Sequence, residues 1–76
     1  MFSLTVISPK EILFAGDANR LFVPGDTGEF ELLSHHAPIV SMLVEGNLLV
    51  DGKQTIPIKK GIIKFFNNDC IALVEA

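Results

Sequence analysis

The sequence predicts an all-β domain in which short strands are stacked as two sheets or closed into one barrel. Three observations carry this. Turn-forming residues recur at intervals of about eight to twelve residues, the segments between them are short and alternate apolar with polar side chains or run apolar throughout, and the period of an amphipathic helix is scarce. About eight or nine such segments cover nearly the whole chain, and strands that short hide their apolar faces only by stacking or closure.

Each element has its own signal. Phe2, Leu4 and Val6 alternate with Ser3 and Thr5 until Ser8-Pro9 breaks the run. Residues 11–15 form a second strand, expected to close at Gly16-Asp17, and residues 18–24 a third, with Leu21 and Val23 on one face and Arg20 and Phe22 on the other. Residues 39–44 are a short apolar run, which period alone leaves open between strand and helical turn; the β-branched content and Glu45-Gly46 favour strand. Residues 47–50 and 53–59 flank Asp51-Gly52, a dipeptide suited to the positive φ angles of a tight hairpin turn. Pro57 has no amide hydrogen, so its strand belongs at an edge or opposite a bulge. Residues 62–66 and 70–75 form a second hairpin across Asn67-Asn68-Asp69. Core packing is the default role of the six phenylalanines, with Phe30, beside a turn, the exception.

The 76 residues make one domain, 1–76, with no linker, repeat or low-complexity segment. At this length roughly 60% of the unfolded chain's surface leaves water on folding, so stability is expected to be marginal. The hydrophobic share is 49%, yet no apolar run approaches the ~20 residues needed to cross a bilayer, and a soluble domain is expected. Met1-Phe2-Ser3-Leu4 lacks the charged segment and apolar core of an export signal, so the chain is expected to stay in the compartment where it is made. The single cysteine, Cys70, reads as a small buried hydrophobe and not as a reactive thiol. A net charge of −3 argues against a nucleic-acid partner, which needs a concentrated positive field. Lys59, Lys60 and Lys64, the only basic cluster, read as a solvated strand edge.

The most informative stretch is VPGDTGEFELLSHHAP, residues 23–38. It combines the backbone freedom of Pro24-Gly25 and Gly28 with an acid read as buried, Glu29, and with the imidazoles His35 and His36. No catalytic spacing is evident. Ser34 and His35 are adjacent, and on an extended chain they point to opposite faces, so they are poorly placed to share a proton. The same geometry separates His35 from His36, and no cysteine or acid recurs at ligand spacing, which argues against a metal site. The glycines are spread through turns without a phosphate-cradling loop, so no nucleotide or other cofactor is expected. Glu29 and Glu31 share one face of a strand with no sign of a cleft between them, and a carboxylate beside tight turns is more often solvated than a partner contact.

At this point VPGDTGEFELLSHHAPIVSML resembles the VPG-x-x-GEFG-x-L-x-x-HAP-x-x-x-x-L signature of the epsilon subunit of F-type ATP synthases. Leu4-Thr5-Val6-Ile7-Ser8-Pro9, Leu13-Phe14-Ala15-Gly16, Gly61-Ile62-Ile63-Lys64-Phe65, Asn68 and Ile71-Ala72-Leu73 extend the likeness over the whole chain. The resemblance implies a flattened ten-stranded sandwich of two five-stranded sheets, the amino-terminal domain of that subunit. It implies a non-catalytic part of the central stalk that binds the gamma subunit and sits on the polar loops of the membrane-embedded c-ring, rotating with them and coupling ion-driven rotation to ATP synthesis. Position in the motif makes Glu29, Phe30, Glu31 and His36 the expected contacts with the ring loops. His36, Ile39, Ser41 and Met42 are the expected contacts with gamma. Association with the membrane would come only through the complex, on the cytoplasmic face of the bacterial inner membrane or at its organellar equivalent. Such an adaptor calls for stiffness and for an apolar patch on one sheet face.

Three departures from the pattern bear on this. Glu31 stands where the family has glycine after GEF, so the approach of a ring loop is expected to change. Lys60 replaces the first glycine of a Gly-Gly pair, so a special backbone angle there would be strained. The sequence ends at Ala76, where many relatives carry two further helices that inhibit ATP hydrolysis and can bind ATP; neither property carries over, and the unadorned Met1 suggests a naturally short form. Two rival readings fare worse. A carrier domain modified on lysine needs one lysine alone at a hairpin tip, whereas Lys59-Lys60 is doubled at a strand end. A saccharide- or nucleic-acid-binding barrel needs basic and stacking residues, and tyrosine and tryptophan are absent.

Overall fold

The computed structural model describes all of Met1–Ala76 as nine strands: β1 (Phe2–Ile7), β2 (Ile12–Ala18), β3 (Arg20–Gly25), β4 (Gly28–Leu33), β5 (Ile39–Leu43), β6 (Gly46–Val50), β7 (Gln54–Ile58), β8 (Lys60–Phe66) and β9 (Asp69–Glu75). Of 46 backbone hydrogen bonds, 38 lie within strands, so the ladders satisfy most of the buried backbone. The strands form one hydrogen-bonded path, β2-β1-β9-β8-β5-β3-β6-β7, with β4 on the other side of β3. It folds over at a narrow junction: β3 pairs with β5 only through Gly25 and Leu43, flanked by Asp26 N–H donating to the Met42 carbonyl (3.1 Å) and Val44 N–H to the Pro24 carbonyl (2.9 Å). On either side lie five strands, β2-β1-β9-β8-β5, and four, β4-β3-β6-β7. Nine strands replace the expected ten because nothing is left to make another. The longest segment outside a strand, residues 34–38, ends in a proline.

β2 departs from its sequence signal. β2 runs through Gly16 and Asp17 to Ala18, because Leu4 pairs with Gly16 and Ser3 with Asp17, and those ladder bonds outweigh local turn preference. The turn shrinks to Asn19, where the chain crosses from one sheet to the other. Asp51 supports this corner by accepting the N–H groups of Asn19 (2.7 Å) and Arg20 (3.0 Å) on one carboxylate oxygen. Both hairpin signals hold. Asp51 and Gly52 take φ of 55° and 67° in a loop between the paired Val50 and Gln54, and Asn67 and Asn68 take 53° and 61° in a two-residue turn, shorter than expected because Asp69 pairs with Phe66 at the start of β9. β7, which carries Pro57, ends the path and is an edge strand.

Seventeen buried apolar side chains make one core between the sheets. Phe2, Leu4 and Val6 from β1, Ile63 and Phe65 from β8, and Cys70, Ala72 and Val74 from β9 meet Leu21 and Val23, Leu32, Leu48 and Val50, Ile56 and Ile58 from the other sheet. Phe2 and Phe65 pack edge to face with centroids 5.3 Å apart, a contact that adds about 0.5–1.5 kcal/mol beyond area burial. Phe14 and Phe30 are half-buried against the core, whereas Phe22 and Phe66 face solvent on the odd side of their strands' alternation. Cys70 is fully buried, and loss of solvation, with the nearby Asp69 charge, pushes its thiol up to about 12.

Candidate functional site

The expected contact residues fall into three places. The first is β4. Phe30 and Leu32 turn inward, so Glu29 and Glu31 stand exposed on the outer face of the four-stranded sheet; Glu29 is not buried. Phe30 is not a projecting contact either: its ring covers Gly25, where an added Cβ would sit 2.7 Å from Phe30 Cε1. Glu31 pairs with Phe22 and borders a shallow depression of ≈ 180 Å³ shared with Arg20, Leu49 and Gly52.

The second place is the loop after β4. Ser34 and His35 occupy a turn closed by His36 N–H donating to the Leu33 carbonyl (3.1 Å), so the extended geometry expected for them does not apply. His36 is half-buried, its ring edge to face with Phe65 at 5.7 Å. Its Nδ1 lies 2.7 Å from the Ala37 carbonyl, which only accepts, so Nδ1 is the donor of this contact. His35, His36, Ala37, Pro38 and the Asn67-Asn68 turn line a recess of ≈ 400 Å³. Glu29 and His36 lie near opposite ends of β4, so they do not form one cluster. No three His, Cys, Asp or Glu side chains converge to hold a metal ion.

The third place is the outer face of the five-stranded sheet. Register sets Ile7 beside Leu73, Leu73 beside Ile62 and Ile62 beside Met42, one apolar row across β1, β9, β8 and β5. Leu73 is 50% exposed, Ile62 37% and Met42 57%, so the row is unpartnered. It lines an apolar depression of ≈ 580 Å³ bordered by Ser8 and by a Lys60–Glu75 pair at 3.5 Å. Strand alternation divides the other gamma candidates: Met42 faces out with Val40, while Ile39 and Ser41 are half-buried toward the interior, Ile39 against the core. Ile7, Ile62 and Leu73 lie in segments that share the family likeness but are not among the expected contacts. Their trace in the sequence is the pair Ile62-Ile63 and the run Ile71–Val74, apolar on both faces where a one-sided strand alternates.

All 76 residues match the family described as ATP synthase, Delta/Epsilon chain, beta-sandwich domain. The chain belongs to this family. Its similarity to individual epsilon chains is moderate: 37% identity to the ATP synthase epsilon chain of Nitratiruptor sp. over 95% of this chain and 59% of that one, and 30% to that of Chlorobaculum tepidum over 97% and 89%. The chain thus spans about three fifths of the first of these relatives. Among solved structures, a chain of the Tetrahymena thermophila mitochondrial ATP synthase central stalk and c-ring superposes with a TM-score of 0.84 at 13% identity, over 97% of this chain and 63% of that one. A chain of the Euglena gracilis mitochondrial assembly also gives 0.84, at 19% identity, over 96% and 49%. At these identities the likeness shows the shared fold of the delta/epsilon β-sandwich domain.

Proposed function

We propose that this chain is a non-catalytic central-stalk component of an F-type ATP synthase, holding the gamma subunit on one sheet and standing on the c-ring loops through the other. The exposed row Ile7–Leu73–Ile62–Met42 carries the reading: a contiguous apolar strip left uncovered on a rigid sheet marks a protein contact. Gamma packs on this strip, with Met42 and Val40 at its rim and Ile39 and Ser41 supporting it from below. The carboxylates Glu29 and Glu31 lie on the opposite outer face, suited to charge-assisted hydrogen bonds with basic loop side chains, and His36, beyond the far end of β4, offers a separate polar contact. A body with separate contacts on two faces transmits torque between two partners without chemistry of its own. Its attachment to the membrane is through the complex, on the cytoplasmic face in a bacterium or at the organellar equivalent.

Co-purification with the cognate gamma subunit tests this. Leu73→Glu and Ile62→Lys are expected to fold and to lower gamma affinity by at least about tenfold, the equivalent of one aliphatic side chain's burial at about 1.5–3 kcal/mol. Undiminished retention of both folded variants would overturn the assignment of this face.

A further inference from the structure

The turn that leads to His36 is held from outside. His35, its third residue, has φ of 64° while Ser34 before it is not in the positive range, and Leu33 O accepts from His36 N–H; this is the signature of a type II turn, whose third position ordinarily belongs to glycine. A side-chain-bearing residue left to itself favours negative φ and the type I form. The two forms differ by a flip of the peptide joining the central residues, and the N–H of that peptide is His35's. Asn68 Oδ1 accepts that N–H at 2.6 Å. Asn68 is itself fixed on three counts: it sits at φ 61° in the β8–β9 hairpin turn, its carbonyl accepts Ser3 N–H at 3.1 Å, and its Nδ2 donates to the Met1 carbonyl at 3.2 Å.

We propose that Asn68 is a positioning residue for docking: it locks the Ser34–His35 peptide in its flipped form and so fixes the backbone that leads into His36 and the recess beside it. This rests on the reading of His36 as a ring-loop contact. The side chain reaches across 33 residues of sequence to hold one amide, and the same recess is walled on one side by that turn and on the other by Asn67 and Asn68. A tie from the rigid β8–β9 hairpin makes a loop surface as stiff as the sheet behind it, which presentation of a fixed contact requires.

Three variants separate this role from a general structural one. Asn68→Gly keeps the left-handed backbone and removes both side-chain hydrogen bonds; Asn68→Asp keeps the acceptor for His35; and His35→Gly, added to Asn68→Gly, supplies a residue that takes positive φ freely. In Asn68→Gly, exchange of the residue-35 amide is expected to accelerate at least about tenfold, the His36 ring resonances to shift as their place over Phe65 changes, and affinity for the purified cognate c-ring to fall about tenfold. Asn68→Asp is expected to stay close to the parent, and the double variant to regain c-ring affinity to within about threefold. Unchanged exchange and ring shifts in Asn68→Gly, or failure of His35→Gly to restore affinity, would overturn the proposal. Undiminished c-ring affinity in His36→Ala would instead overturn the docking reading, with the exchange and shift measurements still deciding the turn.

Discussion

Among single residues, three carry predictions of different kinds. Glu29 is exposed beside a hairpin turn and has no ion-pair partner within the chain, so Glu29→Lys is expected to change folding stability by less than about 0.5 kcal/mol while weakening assembly with the c-ring. Thermal melting and a reconstitution assay read the two effects separately. Asp51 accepts two backbone N–H groups, and these hold its carboxyl below the usual value of 3.8. A depressed acid stabilises the fold above its unfolded pKa and loses that contribution as pH falls through the folded one. Asp51→Ala is therefore expected to melt lower than the parent at neutral pH, with the gap closing as pH drops below 3.8. Cys70 has the opposite dependence. Its thiol is raised from 9.0 to about 12, so the unfolded chain ionises first, and stability is expected to decline from pH 9.0 upward. Cys70→Ala should abolish that alkaline slope, and thiol reagents should modify the folded parent only at the rate of its opening.

Strands and their junctions explain which departures from the family pattern matter. Lys60, the lost first glycine, has ordinary backbone and bears no strain. The glycine that geometry demands is the next one: a Cβ on Gly61 would lie 2.6 Å from the Leu73 carbonyl and 2.9 Å from Val74 Cγ1, so β8 and β9 would have to separate. Gly61→Ala is expected to cost about 1–3 kcal/mol, measurable by denaturant titration, against a change of under about 1 kcal/mol for Lys60→Gly. Much of this level is legible in the sequence. Asp51-Gly52 and Asn67-Asn68 announce their hairpins because positive φ is a local property of those residues, and Pro57 announces an edge because a missing N–H is local too. The course of β2 through Gly16-Asp17 is not legible, since pairing with β1 decides it. Nor is the apolar row, since Ile7, Leu73, Ile62 and Met42 come from four strands and become neighbours only through register. The motif marked Glu29 and His36 but not their separation by the length of β4, and not the inward turn of Phe30, Ile39 and Ser41.

For the molecule as a whole, two outer faces of different chemistry predict two different binding signatures. Association with gamma through the apolar row is expected to show a negative heat-capacity change in calorimetry and little dependence on salt. Association with the c-ring through Glu29 and Glu31 is expected to weaken as salt is raised and exposed charges are screened. Equal salt dependence of the two would mean that the faces are not divided in this way. The core unites both faces into one rigid body, yet the hydrogen-bonded path crosses between sheets at the single Gly25–Leu43 pair and its two flanking bonds. The order of synthesis adds a constraint of another kind, because the first strand lies parallel to the last: Ser3 through Ile7 pair with Asp69 through Leu73 in the interior of the five-stranded sheet. A ribosome releases β1 long before β9 exists, so the nascent chain holds Phe2, Leu4 and Val6 beside an open ladder until β9 emerges. Closure is then a single late event between distant ends, which makes this small domain a slow folder for its size and leaves prematurely terminated chains prone to pair with one another.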